Sequence, residues 1–246
     1  AVKTHWRACP YCQARIRELG LADENALQQW AVKRIGAWLQ AHGRQAVVWN
    51  ESLRGGALPP EGFVVQSWMG DRGAVADFAE RGGQIINSDT ASYYFDYPYS
   101  TFDAWDVLCH NPVPEYLTEG QACRLLGLEG LLWTERVPDL DAAVRMLYPR
   151  LPAMAEAAWT PESARDNDSF FARFEGCSVL FAGRRLRGMA PKSWWRMDEE
   201  TREADRREHE KLMKSPVMLA CAAREKALLD AERAAERRGG ANCEEP

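Results

Sequence analysis

Four short apolar runs recur along the chain and alternate with stretches of helical periodicity. Each run is rich in branched or aromatic side chains and is apolar enough to be buried on both faces. Strands of this kind, alternating with helices, predict a parallel sheet covered by helices. Four strand–helix units are half of an eight-fold barrel. The runs lie at residues 46–49, 63–68, 84–88 and 125–133.

The intervening stretches carry apolar side chains at three- and four-residue steps. In residues 24–42, for example, Leu27, Trp30 and Ile35 follow this spacing, and Gly43 comes where a helix would end. We predict further helices at residues 73–81 and 118–124 and in residues 140–159, and a long loop at residues 89–118.

The composition changes near residue 188. Residues 198–238 consist largely of Glu, Arg, Lys, Asp and Ala, which predicts one or two long charged helices. These helices would form either a solvated appendage that packs through a narrow stripe of apolar side chains or a helix that pairs in a coiled coil. The heptad pattern that a coiled coil needs is poor here. We therefore divide the chain into a domain at residues 1–187 and a charged helical extension at residues 188–246, which ends in a frayed tail at residues 239–246.

Charge and hydropathy exclude several functional classes. The net charge is −5 and the pI near 5.5, so a nucleic-acid partner is not expected. No apolar run approaches the roughly 20 residues that cross a bilayer, so we predict no membrane insertion. Seven cysteines, an odd number without a framework spacing, fit reduced thiols and a cytoplasmic location, unless a leader preceded Ala1.

Metal and cofactor sites are not expected either. Cys9 and Cys12 form the only close cysteine pair, and no second pair at similar spacing follows, so we interpret the pair as structural or incidental. The four histidines lie in unrelated contexts. Ten tryptophans are the unusual feature: they are either large core residues or a surface for the apolar face of a sugar, and composition alone does not choose.

The predicted strand ends carry a succession of motifs. Residues 47–51 read Val-Val-Trp-Asn-Glu, residues 65–68 Val-Gln-Ser-Trp, residues 93–97 Tyr-Tyr-Phe-Asp-Tyr and residues 126–135 Leu-Gly-Leu-Glu-Gly-Leu-Leu-Trp-Thr-Glu, before Tyr-Pro-Arg-Leu-Pro-Ala-Met-Ala-Glu-Ala-Ala-Trp at residues 148–159. The order closely resembles the second half of the glycoside hydrolase family 20 catalytic barrel, over roughly residues 1–185. The resemblance implies an α/β fold, the second half (strands five to eight) of a (β/α)8 barrel.

The reacting Asp-Glu pair of that family, in a His-x-Gly-Gly-Asp-Glu motif after strand four, is absent from this sequence. Trp6 and the Cys9-Pro-Tyr-Cys12 stretch resemble the segment just after that pair, which implies that Ala1 follows it directly. The resemblance therefore implies a fragment of an exo-acting β-N-acetylhexosaminidase, inactive alone, whose parent removes terminal β-linked N-acetylglucosamine or N-acetylgalactosamine by substrate-assisted retaining catalysis. The alternatives are a non-catalytic sugar-binding or degenerate barrel remnant, and an unrelated barrel with chance motifs.

Three tryptophans receive sugar-binding roles by this resemblance. Trp49 and Trp68 would wall the pocket for the acetamido group, and Trp133 would stack against the sugar ring. Their positions at strand ends, where barrel sites lie, favour these roles over ordinary core packing.

Three polar residues complete the site that the resemblance implies. Tyr94 would hydrogen-bond the acetamido oxygen, and Asp96 and Glu135 would accept hydrogen bonds from sugar hydroxyls. The alternatives are a packing role for Tyr94 and surface ion pairs for the two carboxylates.

The other carboxylates in the motifs are interpreted as structural. We expect Glu51 and Glu129 to support the fold and not the substrate, and Glu156 to pair with an arginine such as Arg150. The predicted partner is thus a carbohydrate, with no metal or cofactor.

Overall fold

Four parallel strands form one sheet in chain order. They are β1 (Ala46–Trp49), β2 (Phe63–Ser67), β3 (Gln84–Asn87) and β4 (Leu125–Leu128). The computed structural model describes residues 3–54, 56, 58–182, 189–216, 218–220, 223–224, 226–227 and 230. The predicted α/β class and parallel sheet are confirmed, because each strand pairs in parallel with the next.

Helices lie between and after the strands. The helices α1 to α11 are Thr4–Ala8, Pro10–Glu18, Glu24–Ala41, Arg72–Glu80, Thr90–Tyr93, Ala104–Cys109, Glu119–Ala122, Leu140–Leu147, Arg150–Trp159, Asn167–Ala182 and Glu199–Met213. Single 3₁₀ turns span Asn50–Leu53, Thr134–Arg136, Glu162–Ala164 and Lys192–Trp194. Within the described ranges, no helix is long and apolar enough to cross a bilayer.

Two predicted boundaries are wrong. The loop predicted at residues 89–118 contains α5 and α6, and α6 begins with a reciprocal cap in which Asp103 and Asp106 each accept a backbone N–H of the other. The last strand ends at Leu128 and not near residue 133; within it the pairing with β3 shifts register, and Gly127 takes a positive φ of 153°. The spacing of apolar residues along the sequence gives little sign of such local caps and bulges.

One face of the sheet packs against helices and is called here the packed face. Its side chains include Phe63, Val65 and Ile85, which are fully buried with Phe78 of α4. Gly36 allows α3 to approach closely, since a Cβ there would lie 2.1 Å from the Phe63 ring.

The opposite face, called here the open face, includes Val47, Gln66 and Leu126. Side chains alternate along a strand, so Val47 and Val48 point to opposite faces, and Val48 packs with the helices. Val47 and Leu126 are 54% and 55% exposed. The open face is therefore exposed at these positions of the two outer strands, whereas Val64, the partner of Val47 in β2, is buried.

The charged helix α11 docks on the segment that follows β3. Asp205 is buried and accepts the backbone N–H of Ser100 at 2.7 Å. Arg202 bridges the carboxylates of Asp103 and Asp106 at 2.8 and 2.6 Å. Polar contacts of two side chains, Asp205 and Arg202, thus join this helix to the rest of the chain.

Several predictions for the extension fall on residues that the structure does not describe. Residues 183–188 and most of 217–246, with the predicted tail at 239–246, lie outside the described residues. The division at residue 187 and the second-half barrel assignment stay predictions.

Candidate functional site

Four aromatic rings meet at the carboxyl ends of the strands. Ring centroids are 6.1 Å apart for Trp49 and Trp68, 5.9 Å for Trp68 and Tyr94, 6.4 Å for Tyr94 and Trp133, and 6.3 Å for Trp133 and Trp49. The contacts close into a ring, called here the aromatic cluster. All four residues are among those that the sequence motifs singled out.

Asn50 joins the ends of β1 and β2 beneath the cluster. This side chain is fully buried, and its amide donates to the carbonyls of Met69 and Gly70 at 3.1 and 3.3 Å. Its oxygen accepts the backbone N–H of Trp68 at 3.2 Å. The backbones that carry Trp49 and Trp68 are thereby held together through one amide, a role that the sequence motifs did not reveal.

A backbone bridge places Tyr94 beside Trp133. Leu131 accepts the N–H of Phe95 at 2.7 Å and donates to the carbonyl of Tyr93 at 2.8 Å, which extends the sheet two residues before Trp133. Trp133 remains 43% exposed, so part of this residue is accessible to solvent.

The Tyr94 hydroxyl stays protonated at neutral pH. Burial raises the pKa of Tyr94 to about 12, although a hydrogen bond with the Trp133 side chain opposes the shift; the charges of nearby Tyr97, Asp96 and Glu51 add to the rise. A neutral phenol is a hydrogen-bond donor, so Tyr94 can donate to an oxygen placed within the cluster.

The carboxylates around the cluster differ in environment. Glu51 accepts a hydrogen bond from the indole Nε1 of Trp68 at 2.9 Å. Asp96 is buried and lies close enough to influence Tyr94, whereas Glu135 is exposed, two residues beyond Trp133. The structure therefore brings four of the predicted residues into mutual contact, with Asp96 near enough to Tyr94 to influence its pKa and Glu135 exposed to solvent.

A polar layer lies on the open face below the aromatic cluster. Glu129 accepts hydrogen bonds from the side chains of Gln66 and Ser88, the latter at 3.0 Å. These contacts link β2, β3 and the residue after β4. They use the Glu129 carboxylate within the protein, in line with a structural function.

Glu156 forms the predicted ion pair with an arginine, but the suggested partner, Arg150, is wrong. Glu156 instead contacts Arg173 at 2.8 Å on the outer helices. Arg150 is fully buried and donates to the carbonyls of Phe95 and Tyr97 at 2.6 and 3.0 Å. The guanidinium therefore holds the backbone on both sides of Asp96, because its fork of donors matches several carbonyls at once.

A separate cavity of about 410 Å³ lies near the ends of β2 and β3. Its lining includes Ser67 and Asn87, which alternation places on the face opposite Gln66, and it meets the aromatic cluster only at Trp68. No group of three or more His, Cys, Asp or Glu within the described residues is arranged to hold a metal ion.

Comparisons with known proteins find similar sequences and folds among beta-hexosaminidases. The chain is 31% identical over 190 residues to a beta-hexosaminidase from Porphyromonas gingivalis, covering 72% of this chain and 24% of that protein. A beta-N-acetylhexosaminidase structure from Bacteroides fragilis superposes with a TM-score of 0.65 at 25% identity, covering 80% of this chain and 42% of that one. A mutant Streptomyces plicatus beta-hexosaminidase in complex with product GlcNAc gives 0.56 at 28% identity, covering 64% and 34%.

The chain spans about a quarter to a third of the length of the curated relatives it matches. The sequence profile of glycosyl hydrolase family 20, catalytic domain, matches residues 1–162, which include every strand and the whole aromatic cluster. This protein chain therefore belongs to glycosyl hydrolase family 20.

Proposed function

We propose that this chain is the C-terminal half of the catalytic barrel of an exo-acting β-N-acetylhexosaminidase. Residues 1–187 would supply strands five to eight, and residues 188–246 a charged helical extension. The aromatic cluster carries the proposal, because it lies at the carboxyl ends of parallel strands, where barrel enzymes bind substrate. The substrate would be a terminal β-linked N-acetylglucosamine or N-acetylgalactosamine.

The cluster suits catalysis in which the substrate's own acetamido oxygen attacks the anomeric carbon. Such a reaction needs a tight apolar pocket that bends the acetamide beneath the sugar ring, and Trp49 and Trp68 would form it. Trp133, with its exposed ring, would stack against the pyranose. The 28%-identical Streptomyces plicatus enzyme is recorded with GlcNAc, which supports this class of ligand.

Tyr94 and two carboxylates would orient the sugar. The protonated Tyr94 hydroxyl would donate to the acetamido oxygen as charge develops there. Asp96 and Glu135 would accept hydrogen bonds from hydroxyls at the non-reducing end, which limits cleavage to terminal residues.

The general acid and the residue that orients the acetamide N–H would come from a preceding half of the parent protein. The His-x-Gly-Gly-Asp-Glu motif that carries them in the family is absent from this sequence. That absence also favours a second candidate, a sugar-binding remnant that performs no chemistry. The open face of the sheet, with Val47 and Leu126 exposed, offers the surface that a first barrel half would cover.

The decisive experiment compares this chain with the product of its complete native gene. We expect the chain alone to leave a chromogenic β-N-acetylglucosaminide intact, since loss of a general acid alone costs about 10²- to 10⁴-fold. The complete protein should hydrolyse it with retention of configuration. An in-frame gene without the Asp-Glu motif would instead support the remnant, and turnover by the pure chain would place the acid within these residues.

A further inference from the structure

We infer that Glu51 is a positioning residue: it fixes the Trp68 indole as a rigid wall of the sugar pocket and thereby sets the size of the N-acyl group that the pocket accepts. The selectivity part of this inference rests on the proposed function. Glu51 itself would not touch the reacting atoms.

The contact that carries the inference is short and specific. Glu51 lies in the 3₁₀ turn Asn50–Leu53 directly after β1, and its Oε2 accepts the Trp68 Nε1 proton at 2.9 Å. A carboxylate acceptor makes such a bond roughly twice as strong as a neutral one. Trp68 offers a single side-chain donor, so this bond is the polar contact that selects one orientation of the indole.

Two aromatic rings also contact the Trp68 indole. It meets Trp49 edge to face and stacks on Tyr94 with an interplanar angle of 23°. Such contacts tolerate sliding, because offset arrangements over a range of centroid distances are similar in energy. The Glu51 bond removes this freedom, and it spans from the end of β1 to the end of β2.

Removal of the carboxylate should affect the ring and leave the backbone in place. The backbone N–H of Trp68 is held independently by the buried Asn50 side chain. A Glu51 variant therefore tests indole orientation separately from the strand ends. Glu51 also acts on Tyr94, since its charge contributes to raising the pKa of that phenol.

A fixed wall matters for selectivity among acyl groups. An apolar pocket discriminates one extra methylene by roughly 10- to 200-fold only while its walls do not yield. A Trp68 indole that is free to move would make room for an N-propanoyl group. The ratio of affinities for N-acetyl and N-propanoyl sugars therefore reports on the rigidity of this wall.

The first arm of the test measures the contact itself in this chain. The Trp68 indole N–H is identified in ¹H–¹⁵N spectra as the signal lost in Trp68→Phe. We expect Glu51→Leu to shift this signal upfield and to accelerate its solvent exchange by about tenfold or more, as loss of a charge-assisted bond implies. Glu51→Gln keeps an acceptor oxygen and should lie between Glu51→Leu and the unaltered chain. An unchanged signal in Glu51→Leu would overturn the inference.

The second arm titrates the same proteins with the methyl β-glycosides of N-acetyl- and N-propanoylglucosamine, followed by chemical shifts. The unaltered chain should prefer the N-acetyl sugar by about tenfold or more, and Glu51→Leu should reduce that ratio to about threefold or less. Glu51→Gln should restore most of it. Glu156→Leu, which removes a carboxylate paired with Arg173 on the outer helices, serves as the matched control and should keep the ratio.

The outcomes separate the two proposals. Weaker binding of both sugars at an unchanged ratio would make Glu51 a general support of the fold and would overturn the inference. If the unaltered chain bound neither sugar, the proposed sugar site and its selectivity would both fail, whereas the indole arm would still decide whether Glu51 positions Trp68.

Discussion

The two faces of the sheet contain similar residues but differ in their exposure along the outer strands β1 and β4. On the packed face Val65 and Ile85 are fully buried against α4, whereas on the open face Val47 and Leu126 are more than half exposed. The aromatic cluster lies beyond the strand ends on the side of Gln66 and Glu129, where polar contacts replace helix packing. The packed face holds the strands together, and the open face presents side chains that can act on a ligand.

The consecutive residues Tyr93 and Tyr94 differ in environment in the same way as the two faces of the sheet. Tyr93 belongs to the hydrophobic core formed with Phe95, Val107 and Ala153. Tyr94 points the other way, into the aromatic cluster with Trp68. The same substitution at these two positions should therefore have different effects, which can be measured separately.

The largest effect is expected from Tyr94→Phe in the complete parent protein. Loss of this hydroxyl should lower kcat by about 10²-fold, about 2.7 kcal/mol of barrier, because a donor to a developing charge acts mainly in the transition state. The fold should survive, since only one oxygen is removed. Steady-state kinetics with a chromogenic N-acetylglucosaminide would measure it, and a normal kcat would make Tyr94 a packing residue.

A pair of valines tests the difference between the two faces directly. Val65→Ala should lower the free energy of unfolding by about 2 kcal/mol, because two buried methyl groups are lost and a cavity remains. Val47→Ala, the same change on the open face, should cost less than about 0.5 kcal/mol in this chain. Urea denaturation followed by circular dichroism gives both values. Equal costs would show that the open face is covered in solution.

A modest effect of opposite sign, a gain in stability, is expected from Tyr93→Phe. The Tyr93 hydroxyl is buried and has no hydrogen-bond partner within the described residues, and burial raises its pKa. Removal of an unsatisfied buried donor should stabilise the chain by about 1 kcal/mol. Thermal or urea unfolding would detect the gain, and a loss of stability would reveal a partner for this hydroxyl.

Much of the fold was predictable because it depends on local periodicity. Apolar runs located the start of all four strands, and helical spacing identified the helices at residues 24–41 and 72–80 to within a few residues. The strand-end motifs singled out Trp49, Trp68 and Trp133 before their rings were known to meet. In a parallel sheet the carboxyl ends of all strands share one edge, so residues distant in sequence converge there.

The long-range polar contacts were not predictable from the sequence. Arg150 was named as one possible partner of Glu156, six residues away on the same helix, but it binds the carbonyls of Phe95 and Tyr97, more than 50 residues away. A guanidinium has several acceptors of similar quality within reach, and only the packing of α9 against the segment after β3 chooses among them.

The sequence by itself determined the class of fold, the order of the strands and the family, because each rests on patterns that neighbouring residues carry. Only the tertiary structure decided what the charged groups do: Glu51 holds an indole, Arg150 holds a backbone and Asp205 docks a helix. The physical reason is that apolar burial depends on periodicity along an element, whereas a hydrogen bond depends on the position of two atoms to within a few tenths of an ångström.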